Sequence, residues 1–313
     1  MHAGLLLVYV VLILSVGRSS SSFRGQNCTE PTKEHEKHNQ IKPSFLFQHK
    51  VLPKQFAIQL VEELWILEQR SLNQTKECKL NFQEQWNKSD PKNDQSPGPL
   101  FRNFDEAALV NKMDILQSYI HLLRIYKELE LKAIASKKSM EYHQEVKEFF
   151  YQLRRTDIWQ EAAHSIANYD QRYKCGDFPH LFMDRLWFRL ERYQSGLENT
   201  FVGHMQHDDL PNNWIQLGCL EARKKLNYLG YITKLCGDPP LLATVVFDIV
   251  DETPVPCNTT ILIGTSPQFE LAMYTILYLT GDQEMTVQLG SCRVTASCEL
   301  SSNGIYIKRC FVK

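Results

Sequence analysis

Near residue 196 the apolar residues of this chain stop recurring every three or four positions and begin to alternate, and that change of period divides the fold. Upstream, QFAIQLVEELWILEQR (residues 55–70) places Phe56, Leu60, Leu64 and Leu67 on one helical face with Trp65 beside them. From Asp105 a second stripe runs through Leu109, Met113, Leu116, Ile120, Leu123 and Leu129. Ser139 is placed to cap a helix bearing Val146, Phe149, Phe150 and Leu153, and Asp157 to cap DIWQEAAHSIANY. FPHLFMDRLWFRLERY (178–193) is a last amphipathic helix that stops near Gly196.

Downstream, TFVGH, NWIQL, LATVVFDIV, TTILIG, MTVQL, CRVTASCEL and GIYIKRCFV carry the β-branched and aromatic content of strands. Short helices interrupt them. GCLEARKKL is one; TSPQFELAMYTILYLTG (265–281) is another, with Thr265 or Ser266 as cap, Pro267 in the first turn and Gly281 beyond the end. The fold class that follows is α+β, a helical lobe over 51–195 and then an antiparallel β-sheet lobe with short helices over 196–313.

The apolar run Gly4 to Val16 is too short to span a bilayer, and Ser15 and Gly17 suit a cut after Gly17, so residues 1–17 read as a cleaved secretory signal. Residues 18–50 are polar and without periodicity and read as a flexible arm, its histidines His35, His38 and His49 solvated. A secreted, extracellular chain has no membrane span left after cleavage. It gives meaning to four sequons, at Asn27, Asn73, Asn87 and Asn258, as glycosylation sites, Asn87 opening the breaker-rich loop NKSDPKNDQSPGP. It also makes disulfides the expected fate of most of the nine cysteines, with Cys298 and Cys310 placed to face each other across a hairpin. No CxxC or HxxxH spacing points to a metal site. Residues 186–313 hold ten Lys or Arg against thirteen Asp or Glu, a balance of −3, so this half attracts phosphate weakly.

LENTFVGHMQHDDLPNNWIQLG reads as a β-hairpin, with Asn199 and Asn212 as surface strand and turn residues. His204 and His207 are the proton carriers within this stretch, and strand alternation puts His204 on the face of Glu198 rather than of Asn199. Taken in order, LENTFVGH, NNWIQ, LATVVFDIV, ILIGTSPQFELAMYTILY and GIYIKRCFV resemble the EndoU family of poly(U)-specific endoribonucleases. QLVEELWILEQ is similar to that family's N-terminal helix, so the resemblance extends over 51–313.

The resemblance implies manganese-dependent cleavage on the 3′ side of uridine to a 2′,3′-cyclic phosphate, carried by two histidines and a lysine. Here the glutamate before the first histidine matches Glu198, but Asn199 stands in the histidine's place, and the carboxylate ending that segment aligns with His204. The second histidine falls on Asn212 in Pro211-Asn212-Asn213-Trp214, and the lysine on Pro256. The polar Thr and Tyr of the last strand fall on Arg309 and Phe311. An amide exchanges no proton near neutral pH. The expectation is therefore a pseudo-endoribonuclease without catalytic residues and without a required cofactor. It would act by binding RNA or an extracellular protein through a groove of Glu198, His204, Trp214 and Arg309. The alternative is a working enzyme that uses manganese and a rewired site built on His204 or His207.

Overall fold

The structure, a computed structural model, describes residues 52–71, 79–87, 89, 96–131, 140–170, 186–188, 195–203, 210–250, 256–302 and 304–313. Five helices come first among these: α1 (Lys54–Ser71), α2 (Glu106–Val110), α3 (Asp114–Leu131), α4 (Met140–Leu153) and α5 (Asp157–Tyr169). Among the described residues between α1 and α2 lie the short paired strands β1 (Lys79–Leu80) and β2 (Phe101–Arg102). A π-helix (Glu198–Val202) and α6 (Trp214–Ala222) lead to β3 (Leu226–Leu235), β4 (Leu242–Ile249) and β5 (Cys257–Leu262). Helix α7 (Pro267–Thr280) then precedes β6 (Glu284–Leu289), β7 (Cys292–Leu300) and β8 (Ile307–Val312). Strands β3-β4-β5 and β6-β7-β8 form two antiparallel sheets in that order, so the architecture is α+β, helices before sheets. Among the described residues no helix is long and apolar enough to cross a membrane.

Helix α7 is the center of the packing. Nearly all of its side chains are buried, as expected for a helix apolar on every side, and α1 and α5 pack against it from one side and β7 from another. Its ends are those the sequence announces. Ser266 is the N-cap, its hydroxyl accepting from Phe269 N at 3.3 Å, Pro267 follows, and Gly281 ends the helix at φ 70°. The stripes of α1 and α3 are buried as expected at Leu60, Leu64, Leu109, Leu116, Ile120 and Leu123.

Two buried carboxylates fix the start of α7 to its neighbors. Glu68 of α1 accepts from Ser266 N at 2.5 Å and from the Ser266 hydroxyl at 2.7 Å. Glu270 Oε1 accepts from the Thr265 hydroxyl at 2.7 Å and from Asn213 Nδ2 at 3.0 Å, while Asn213 Oδ1 caps α6 by accepting from Ile215 N and Gln216 N. Burial pushes the Glu270 carboxyl up to about 8, the Thr265 and Asn213 bonds opposing the shift and the charge of Glu68 adding to it.

Several boundaries differ from the expectation. TFVGH and NNWIQL form no hairpin: the first enters the π-helix and the second opens α6. Strand β3 follows directly on α6, where the charged run ARKKL had suggested continued helix. The stripe from Asp105 is broken, since Asn111 ends α2 and a turn separates it from α3. Thr156, not Asp157, caps α5, by accepting from Trp159 N. At Gly196 a Cβ would lie 2.4 Å from the Ile307 carbonyl oxygen, so the glycine permits close approach to β8. The expected cap Ser139, the signal, the arm, and all of the 178–193 helix except the buried Leu186, Trp187 and Phe188 lie outside the described residues.

Cys298 and Cys310 are bonded across β7 and β8, with Cα atoms 4.1 Å apart, and a second disulfide joins Cys236 to Cys292. Of the sequons, Asn87 and Asn258 are exposed, while Asn27 and Asn73 fall outside the described residues.

Because the Glu270 carboxyl is raised in the fold, its stabilizing contribution is complete below the ordinary value of 4.5 and is lost as pH rises through about 8. Glu270→Gln, which stays neutral, is expected to lose less thermal stability than the natural chain between pH 5 and pH 8.5. Melting curves of the two proteins across that range check it.

Candidate active site

The segment SGLE, residues 195–198, starts the site. The Ser195 hydroxyl accepts from Glu198 N at 3.2 Å and Glu198 Oε2 accepts from Ser195 N at 3.4 Å, a reciprocal capping box that turns the chain helical. Glu198 is thereby buried as a capping residue. The turn widens to π geometry, Gly203 N donating to Glu198 O at 3.0 Å, and Gly203 leaves it at φ 74°. The strand alternation that separated Glu198 from Asn199 does not apply to such a segment.

Asn199 and Asn212 are both buried, against the expectation of surface residues. Each spends its amide on the outer edge of β8. Asn199 Nδ2 donates to Lys308 O at 2.8 Å, and Asn212 Nδ2 donates to Cys310 O at 3.2 Å. Between them the Thr200 hydroxyl accepts from Cys310 N at 2.9 Å, and Thr200 O accepts from Asn212 N at 3.2 Å. Residues two apart on a strand present their backbone groups to the same edge, so 308 and 310 face these side chains while their neighbors pair with β7. The alternation also places Cys310 in a narrow pair with Cys298, where antiparallel Cα atoms come closest, which suits the disulfide.

Asn212 Oδ1 is occupied as well. It accepts from the Thr259 hydroxyl at 2.8 Å, and Arg309 Nη2 stands 3.5 Å away. Thr259 also reaches Pro211 O at 3.2 Å. The residue of β5 that meets the site is therefore Thr259; Pro256 lies half-buried just ahead of the strand. Arg309 is half-buried, and its charge partly offsets the upward shift that burial and Glu270 impose on the Tyr274 hydroxyl.

Trp214 leaves the candidate groove. It is buried between Phe101 and Phe104, ring centroids 6.4 Å from each, and its Nε1 donates to Thr265 O at 2.7 Å. No base can stack on that ring. His204 and His207 lie outside the described residues. The structure thus brings together Asn199, Asn212 and Arg309, leaves Glu198 beside them as a cap, and separates Trp214. The sequence reading missed Thr200 and Thr259, whose hydroxyls complete the cluster; the S-x-x-E pattern at 195–198 was the signal for the local turn.

Among the described residues no three His, Cys, Asp or Glu side chains converge so as to hold a metal ion, and no step is assigned to one. The groups in this cluster are amides and hydroxyls, which both donate and accept hydrogen bonds, and a guanidinium, which only donates.

Helices followed by two antiparallel sheets, with a polar cluster where residues 199–212 meet the last strand, define an EndoU-like α+β fold. Residues 57–312 match the family Endoribonuclease XendoU, and the chain belongs to that family. Poly(U)-specific endoribonuclease-A of Xenopus laevis is 25% identical over 244 residues, covering 72% of this chain and 82% of that protein. Uridylate-specific endoribonuclease C of Danio rerio is 26% identical over 210 residues, covering 62% of this chain and 65% of its own length. The solved structure of XendoU, described as a splicing independent snoRNA processing endoribonuclease, shares the fold at TM-score 0.66. It covers 85% of this chain and 97% of its own at 22% identity.

Asn212→Ala removes a buried donor and acceptor and strands Cys310 O, while the Thr259 hydroxyl keeps Pro211 O as its acceptor. The expected loss is about 1–3 kcal/mol of unfolding free energy, read by denaturant titration.

Proposed function

We propose that this chain is a secreted member of the XendoU family that has lost efficient RNA cleavage and acts by binding. The observation that carries the reading is the state of Asn199 and Asn212: both amides are committed to carbonyls of β8, at positions where the resemblance implies the family's histidines. Transfer to a cyclic phosphate needs a base for the 2′-hydroxyl and an acid for the leaving 5′-oxygen, each typically worth about 10²- to 10⁴-fold. Neither asparagine can fill either role. Pro256 at the aligned lysine position offers no cation, and Arg309 is the positive group beside the cluster.

Two disulfides and the signal-like residues 1–17 support an extracellular setting. The poly(U)-specific and uridylate-specific relatives make uridine-rich RNA the first ligand to test, and the −3 balance of residues 186–313 makes that binding weak and salt-sensitive. An extracellular protein is the other ligand class.

With Mn²⁺ present, a fluorogenic uridine-containing RNA is expected to remain intact under conditions in which a curated relative cleaves it. Cleavage that disappears in His204→Ala or His207→Ala would overturn the reading and restore the rewired enzyme. Titration with an oligouridylate at low and high salt, set beside partner capture from extracellular fluid, divides the ligand classes: saturable, salt-sensitive RNA binding favors RNA, its absence with a captured partner favors a protein, and a purely structural domain gives neither.

A further inference from the structure

Two Asn-X-Ser/Thr triplets have their asparagines among the described residues, at Asn87 and Asn258, and both asparagines are exposed. Exposure is the requirement a folded protein places on a bulky, hydrated substituent. The two sites sit on different kinds of backbone. Asn87 closes a small turn, its Oδ1 accepting from Ser89 N at 2.9 Å, so the asparagine and the hydroxyl-bearing residue of the triplet are held together on the surface. Asn258 stands on β5 opposite Val246.

The face of β5 to which Asn258 belongs follows from alternation. Thr259 turns toward the candidate site and gives its hydroxyl to Asn212 Oδ1 at 2.8 Å. Asn258 and Thr260 project from the other face, where the Thr260 and Thr244 hydroxyls share a hydrogen bond at 3.0 Å and Thr233 donates to Thr244 at 3.0 Å. A substituent on Asn258 therefore leaves from a threonine-lined surface and displaces nothing from the Asn199–Asn212 cluster.

We propose that Asn87 and Asn258 both carry N-linked oligosaccharides, the second rooted on the face of β5 opposite the candidate site. In this transfer the Asn Nδ2 bonds to the anomeric carbon of an oligosaccharide held on a lipid diphosphate. The carbon–oxygen bond to the diphosphate breaks, and the displaced diphosphate leaves with the amide proton. The inference rests on the secreted reading, because only a chain in the secretory pathway meets that donor.

The test is expression of the full chain in animal cells, recovery from the medium, and peptide mapping after peptide N-glycosidase, which leaves Asp wherever a glycan was attached. Asp at 87 and at 258 is expected, with one step of apparent mass on a gel lost in each of Asn87→Gln and Asn258→Gln and the melting temperature of Asn258→Gln close to that of the deglycosylated natural chain. Thr260→Ser should keep the modification and Thr260→Val should lose it while Asn258 remains. Secreted protein with Asn258 or Asn87 recovered as unmodified asparagine overturns the assignment at that residue. A chain retained in the cell with residues 1–17 still attached and every sequon unmodified overturns the secreted reading along with the inference, and the intact N-terminus tells that failure apart.

Discussion

An edge strand carries a row of N–H and C=O groups that no neighboring strand satisfies, and β8 is such a strand. In this protein the row is met by side chains instead. Asn199, Thr200 and Asn212 supply two donors and one acceptor at the spacing a paired strand would offer, and Gly196 lets their segment lie against Ile307 without a side chain intervening. Each such bond is worth about 0.5–1.5 kcal/mol net, but leaving a buried backbone group unmet costs more, so the cluster behaves as a unit. The rest of the sheet lobe hangs on this closure. Through Thr259 it touches β5, and through Cys310 it touches the disulfide to β7.

The same arrangement explains how the frame around Asn199 and Asn212 is held. The residues that shape the frame are in place: Ser266 caps α7, Glu270 receives Thr265 and Asn213, and Asn213 caps α6. These contacts concern packing and backbone satisfaction and are indifferent to whether an imidazole stands next door. Asparagine at 199 and 212 fits this setting well, being short enough to sit beneath the strand and able to donate from one atom and accept at another.

Much of the fold was legible in the residues. Helix α7 carried its cap, its proline and its terminal glycine in plain view, and α1 its apolar stripe, because both signals are local. Strands β4 to β8 were legible through β-branched content. Residues 198–203 and 213–217 were misread because TFV and WIQL are short apolar runs that fit a strand or a buried helix equally well, and the decision lay in the caps, Ser195 with Glu198 and Asn213 with its two amides. Strand β3 was hidden behind ARKKL, whose charges read as a helix face. The candidate site was half legible. Resemblance pointed to Asn199 and Asn212, but their partners are main-chain carbonyls about a hundred residues away, and a carbonyl leaves no trace in the identity of the residue that bears it.

The disulfide beneath this closure has a kinetic consequence. Both of its sulfur-bearing residues are buried, and Cys310 is held on its outer side by Thr200 and Asn212, so a small thiol reductant reaches the bond only when the last strand swings away. The reduction rate of this bridge under native conditions thus serves as a built-in clock for detachment of β8, reporting how often the sheet opens without any label having to be introduced.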